Sequence, residues 1–445
     1  MISSKRAIRL IRKLPGARTI VNFVSECFAC TTLLHSIHPG INMANQYVTV
    51  RMYNVGFGDA FLLVFPDKDR PRRVLVDCGV HSMGPGPRTM KEVVQQIVRD
   101  TTDADKKSRI DVVICTHRHQ DHVSGFSQPI WSKVDVGEVW MPWTEHPTDR
   151  EARRIRETQS ARARSLTMAL NRLNADQSVL AMAQNSLTNR AAMRTLHEGF
   201  AGKPMRRFLP TKQRSARSFE TPVLPGVKIH VLGPSRNEDV IRDMNPEKGE
   251  SYLRFLMTRA GPTGHRLRPF RSGWEMPLMK YREAYPHLHF TDYLKRELAK
   301  VGSGTEFDLV TKLEKAVNGT SLLLMFVVGR AHLLFPGDAQ WGTWKAALAE
   351  PEWQELLSKT TFYKVGHHGS HNATPRSFVE KYLTKKSSAM ISTRCTKKWP
   401  DIPRAPLLAR LRERSNPVLR SDKRDVRDPA GVRHKTEYVE TKLPI

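Results

Sequence analysis

The stretch that most constrains the fold runs from Ile110 to His122. Ile110-Asp111-Val112-Val113-Ile114-Cys115 is a β-branched apolar run of the kind that forms a buried strand. Thr116-His117-Arg118-His119-Gln120-Asp121-His122 follows it at once. Three imidazoles and a carboxylate therefore leave the end of one strand together. Alternate positions on a tight loop turn the same way. His117 and His119 can thus grip one ion, while Asp121 and His122 face a second position nearby. Neutral imidazole with carboxylate suits a borderline divalent cation such as zinc, and manganese tolerates the set. The alternative is a polar loop rich in histidine by chance; four ligand-type residues directly after an apolar strand weigh against it.

The pattern around this cluster is that of alternating strands and helices. Tyr47–Tyr53, Ala60–Phe65 and Arg73–Val76 read as strands, joined by the glycine turn Asn54-Val55-Gly56-Phe57-Gly58-Asp59 and ending at Asp77-Cys78-Gly79. Thr89–Asp100 has helical periodicity, with Val93, Val94, Ile97 and Val98 on one face. Gly137–Met141 is a further strand. From there to about Arg217 the chain reads as helical and basic. Residues 146–220 hold fifteen Lys/Arg against six Asp/Glu, and Leu166, Leu170 and Leu173 form one apolar stripe. Val227–Leu232 returns to strand, and a second insertion, 235–317, mixes Gly/Pro breaks, aromatics and bases.

Thr320–Val328 and Ala331–Phe335 then form a hairpin through Gly329-Arg330 and deliver Pro336-Gly337-Asp338. A helix is expected from about Gln340 to Ser358. The strand Thr361–Val365 runs into Gly366-His367-His368-Gly369-Ser370-His371. Helices at Phe378–Leu383 and Arg404–Arg414, a strand at Ala389–Ser392 and a last strand at Thr436–Leu443 complete the reading. This order favours α/β, a mixed sheet pair sandwiched by helices, over a doubly wound parallel sheet.

Charge bears on partners rather than fold. Lys plus Arg number 72 against 44 acids, a formal charge of +28, which favours nucleic acid or another polyanion, or else leaves a merely solvated basic surface. The five cysteines, Cys27, Cys30, Cys78, Cys115 and Cys395, are odd in number and irregularly spaced. No disulfide framework is implied, and a reducing, cytoplasmic setting fits. Cys27 and Cys30 lack the second pair that a structural zinc site needs. No apolar run is long enough for a clear membrane span. Residues 1–43, basic and then moderately apolar, read as a poor targeting segment or a dispensable extension. The second is favoured, because strand patterning begins only after Met43, which leaves 44–445 as the patterned domain.

Six pieces, taken in order, carry a resemblance: Asn54–Ala60, Leu75–Gly79, Thr116–Gly125, Asn318-Gly319-Thr320-Ser321-Leu322, Phe335–Ala339 and Val365–Ser370. His-x-His-x-Asp-His, a later Gly-Asp and a later histidine at a strand end resemble the metallo-β-lactamase superfamily, and more closely the hydrolase domain of ComEC-type competence proteins. The resemblance spans about residues 47–415 and leaves out both insertions and the first 43 residues. It implies an αβ/βα sandwich with a metal site along one edge of the two sheets. By position, His117, His119 and His367 would hold the first ion, Asp121 and His122 the second, and Asp338 both. His368 would be a neighbour of unassigned role. Asp59 and Asp77 would either brace ligands or serve as plain turn carboxylates.

Two departures stand out. Ile402 occupies the place where many members carry a late histidine, so Asp401 would substitute or the second ion would be weakly held. No stretch of these 445 residues reads as the membrane channel that accompanies the ComEC-type domain.

The chemistry implied is hydrolysis. A divalent cation lowers the pKa of its water to about 7 and so provides hydroxide at neutral pH. Asp121 is placed to orient or deprotonate that nucleophile. His371 or Ser370 would touch substrate or protonate a leaving group, or His371 would make only a structural hydrogen bond. A phosphodiester or nucleic acid is the first substrate class, with Phe270, Trp274 and Tyr281 available to stack on bases. A small ester, lactone or thioester is the second, and a non-catalytic metal-binding scaffold the third.

Overall fold

The computed structural model describes residues 47–172, 189–213, 217–252, 315–396, 399–424 and 429–445, together with 180, 183, 184 and 280. The N-terminal extension, Cys27 and Cys30, Leu173, Phe270, Trp274, Tyr281 and most of the second insertion lie outside these residues. In chain order the strands are β1 (Tyr47–Tyr53), β2 (Ala60–Phe65), β3 (Arg72–Cys78), β4 (Arg109–Ile114), β5 (Asp135–Pro142), β6 (Met205–Leu209), β7 (Ser218–Thr221) and β8 (Leu224–Gly233). They continue as β9 (Leu323–Val328), β10 (Ala331–Phe335), β11 (Phe362–Lys364), β12 (Ser388–Ile391), β13 (Val418–Arg420), β14 (Arg433–His434) and β15 (Tyr438–Pro444).

Among the described residues these strands make two mixed sheets, ordered β14-β15-β1-β2-β3-β4-β5-β6 and β13-β12-β11-β10-β9-β8-β7. In the first, β1, β2, β14 and β15 run antiparallel, and β3 to β6 pair in parallel. In the second, β10 to β13 are parallel, and β7 to β9 antiparallel.

Alternation along the strands explains the layers. One face of each sheet feeds a shared core in which Val50, Phe61 and Leu63 meet Ile229, Phe326 and Phe335. The other face of the first sheet packs Leu62, Leu75 and Val113 against Val93, Val94 and Ile97 of the helix Met90–Asp100. That helix starts at Thr89 with a capping box to Glu92. The other face of the second sheet packs Leu334, Tyr363 and Ile391 against Trp344, Leu357, Phe378 and Leu411 from the helices Trp341–Ala349, Pro351–Ser358, Arg376–Tyr382 and Ala405–Arg414. The result is an α/β sandwich of two mixed sheets with helices outside. Among the described residues no helix is long and apolar enough to cross a membrane.

The structure departs from the sequence reading in several places, the added edge strands β13 and β14 among them. Residues 146–220 are not wholly helical: β6 and β7 extend the two sheets. β6 hides its signal because Arg206 and Arg207 break the apolar alternation; Arg207 instead clamps Glu138 of the neighbouring β5 at 2.6 and 2.8 Å. The expected helix 340–358 is two helices, because Pro351 opens the second and forces Glu350 into an extended conformation. Asp121 and His122 lie on a single helical turn, Gln120–Val123, rather than a loop.

Candidate metal centre

The parallel strands direct their C-terminal ends to a common edge. Asp77 ends β3, and His117–His122 follow β4. From the other sheet, Asp338 follows β10, His367–His371 follow β11, and Ser392 follows β12. The halves are stitched there by the amide of Leu322 donating to the Thr116 carbonyl at 3.0 Å. Gly79 lets the ligand turn close on β3; a Cβ there would stand 2.5 Å from the Gln120 oxygen and the His122 nitrogen.

Backbone strain gathers at this edge. Of the five non-glycine residues at positive φ among the described residues, three are Asp77 (57°), His367 (45°) and His368 (54°). Two successive left-handed residues turn both imidazoles inward instead of alternating them. His368 Nε2 lies 3.1 Å from Asp121 Oδ2, and His367 Nε2 lies 3.8 Å from Asp338 Oδ2.

This changes the expected balance of the two positions. Asp121, His122, Asp338 and His368 bring donor atoms within 4.8 Å of one another, all buried. The late histidine that joins Asp121, His122 and Asp338 is thus His368, and no residue of the Ile402 stretch belongs to this group. Asp401 is exposed and 3.4 Å from Arg404 Nη1, so it does not substitute. His117 Nε2 and His119 Nδ1 lie 3.1 Å apart, and His122 Nε2 lies 3.2 Å from Asp338 Oδ2. Ligand atoms on a tetrahedral ion with bonds of about 2.0–2.1 Å are separated by about 3.3–3.4 Å, so the donor spacing fits such an ion.

The ring tautomers follow from the outer partners. A carboxylate and a carbonyl only accept, so His122 Nδ1–H donates to Asp77 Oδ2 at 2.8 Å and His368 Nδ1–H donates to the Ser392 carbonyl at 2.9 Å. Thr116 Oγ1 gives its proton to Asp77 Oδ2 and so accepts from His117 Nδ1 at 3.2 Å. Ser370 Oγ donates to Asn372 Oδ1 at 2.6 Å and so accepts from His367 Nδ1 at 2.9 Å. Asn372 is itself held by its amide on Gln340. With Nδ1 carrying the proton, Nε2 is the lone-pair nitrogen of each neutral ring; His117 Nε2 faces His119 Nδ1 at 3.1 Å, and His368 Nε2 faces Asp121 Oδ2 at 3.1 Å, a pairing that puts a second proton on His368. The Nε2 atoms of His119 and His122 and Asp121 Oδ1 are buried without a hydrogen-bond partner.

Charge points the same way. Asp59, Asp77, Asp121 and Asp338 are all buried, and Lys364, also buried, is the ammonium beside them. Lys364 pairs with Asp59 and lies 3.7 Å from Asp338 Oδ1. Burial depresses its pKa, but those carboxylates outweigh it and hold the amine charged. Burial also opposes charge on His122 and His368. Asp338, Asp77 and Asp121 nevertheless raise the first, and Asp121 and Asp59 the second. Asp121 and Asp338 are correspondingly lowered against their own burial. Protons on His122 and His368 and a divalent ion thus compete for the same lone pairs. Asp59, Asp77 and His122 also cluster, but Lys364 already supplies positive charge there and His122 Nδ1 is committed to Asp77, so this group supports the site.

His371 has its pKa lowered to about 4 by burial, then by Lys315 and Arg404, and is neutral at pH 7. Ser370 orients His367. Lys364, Thr116, Ser392 and Asn372 were not singled out from sequence. Only Lys364 carried a signal, as a lone charge in the apolar strand before Gly366. Comparison with protein-family models and with curated proteins finds no match to this chain.

Proposed function

We propose that the chain is a metal-dependent hydrolase of the metallo-β-lactamase type, nearest to the ComEC-type hydrolase domain, acting on a phosphodiester or nucleic acid. The observation that carries this reading is the buried group of Asp121, His122, Asp338 and His368, whose donor atoms lie within 4.8 Å of one another, with the His122 and His368 rings each held by a separate partner behind it. Zinc suits the mixed imidazole and carboxylate set best, with manganese second. A divalent ion bound there supplies Lewis acidity and a nucleophile at neutral pH.

The chain's own part is positioning. Asp77 and Thr116 hold His122 and His117, the Ser392 carbonyl holds His368, and the Gln340–Asn372–Ser370 chain holds His367. Lys364 fixes Asp59 and Asp338. Asp121, with one oxygen on His368 and the other unpartnered, is the carboxylate placed to take a proton. The positive charge of the chain supports a polyanionic substrate, and the free thiols of Cys78, Cys115 and Cys395 support a cytoplasmic setting.

The test pairs elemental analysis with a substrate screen in added zinc or manganese. Bis(p-nitrophenyl) phosphate, single-stranded DNA and RNA are set against p-nitrophenyl acetate and a lactone. Phosphodiester turnover that disappears with chelator and in Asp338→Asn is expected. Turnover of carboxylic esters alone would overturn the substrate class. Failure to bind metal would overturn the whole reading.

A further inference from the structure

A cleft of about 680 Å³ lies on the other side of the ligand loop. Arg118, between His117 and His119 in the chain, lines it. One wall is the helix Arg150–Arg172, which presents Arg156, Ser160 and Arg164 at i, i+4 and i+8. A second is the short helix Arg190–Arg194, with Arg190 and Arg194 again four apart. β6 adds Arg206 and Phe208 from alternate positions of one face.

The charges in this cleft do not balance. Six arginines line it against Glu145 and Glu198. Glu145 is already committed to Arg118, whose Nε lies 2.8 Å from Oε1. Arg156 donates to backbone carbonyls of Thr144 and His146. Arg206 donates to the carbonyls of Leu196 and Pro204, and its Nη2 is buried without a partner. Carbonyls fix a guanidinium in place but do not neutralise it. Burial accordingly lowers the pKa of both Arg156 and Arg206. All the cationic side chains here are arginine, whose planar fork matches oxyanions two bonds at a time.

We propose that this cleft is a phosphate-binding site, shaped for several phosphate groups in series. Such groups occur in an oligophosphate chain and in the backbone of a single nucleic acid strand. Four guanidinium groups lie beyond the Arg118–Glu145 pair and the one facing Glu198, enough to receive more than one anionic group; three of them, Arg164, Arg190 and Arg194, are open to solvent. The volume lies within the range of ordinary ligand pockets, about 300–1,000 Å³. The rings of His197 and Phe208, stacked with centroids 6.0 Å apart, give the same cleft an aromatic surface. None of the residues lining it is a metal-site ligand, so the proposal stands apart from the hydrolase reading.

The experiment uses the full chain stripped of metal by chelator and then freed of chelator. Tripolyphosphate and a short oligothymidylate are titrated calorimetrically at low salt, and again at rising salt. Saturable binding that weakens with salt is expected. Arg164 and Arg190 are exposed, so the double variant Arg164→Gln/Arg190→Gln should melt like the wild type, take up the same amount of zinc, and bind about tenfold more weakly or worse. A control, Lys133→Gln/Lys228→Gln, removes two exposed charges elsewhere and should bind as the wild type does. Binding of tripolyphosphate alone identifies a small phosphorylated ligand; binding of both identifies a strand. No saturable binding by the wild type, or equal loss in variant and control, overturns the site. Zinc uptake is read separately, so failure of the metal reading leaves this result interpretable.

Discussion

Asp77→Asn is the sharpest probe of the metal centre, because it keeps the shape of the side chain and changes only its hydrogen-bond character. The carboxylate accepts three bonds, from the Thr116 amide at 2.7 Å, from Thr116 Oγ1 at 2.7 Å and from His122 Nδ1 at 2.8 Å. An amide offers one accepting oxygen and an NH₂ group that must face at least one of these donors. If the NH₂ faces His122, Nδ1 becomes the acceptor, the proton moves to Nε2, and the ligand lone pair is lost. If it faces the Thr116 amide, a buried N–H is left unpaired at a cost of about 1–3 kcal/mol. Replacing a partner of this kind typically lowers metal affinity by about 10–100-fold, or about 1.4–2.7 kcal/mol. Competition against a chelator of known zinc affinity reads the first effect, and thermal denaturation of the metal-free protein reads the second. A variant that binds zinc within about twofold of the wild type and melts at the same temperature would refute the tautomer argument.

Other outcomes follow from the same geometry. His368→Ala should lower zinc affinity by about tenfold or more, whereas Ile402→His should leave it unchanged, because His368 already fills that corner; competition titrations of both decide between them. Arg118→Ala should destabilise the fold by about 3–5 kcal/mol, since it strands the buried Glu145 carboxylate, and denaturant unfolding measures the loss. His230 has its pKa lowered to about 4 by burial, then by Lys228 and His332. It stays neutral in the fold while the unfolded chain takes up a proton below about 6.5. Its contribution to stability is therefore full above that pH and is lost as pH falls toward 4. His230→Gln should flatten that part of a melting-temperature profile.

Much of the first sheet can be read from the chain because β1 alternates and β2 to β4 are short apolar runs, with glycine turns after β1 and β3. The ligand turn is readable for the same reason, as four donors adjoin an apolar strand. β6 is not, since Arg207 depends on a partner 69 residues away. The role of His368 is hidden more deeply. Consecutive histidines after a strand should face opposite ways, and only two left-handed residues in a row bring both inward. Lys364 shows in sequence as an odd charge, but its two carboxylates come from distant turns.

The centre also closes long circuits of the chain. Asp121 and His368, 247 positions apart, come from different sheets, and contacts of such separation form late because they carry a large closure entropy. A chain with only one sheet assembled has half a set of ligands and no cavity to hold an ion. On the proposed function, metal uptake would wait for the two sheets to meet, and a bound ion would act as a clasp between the halves, slowing their parting while leaving their first encounter unaided.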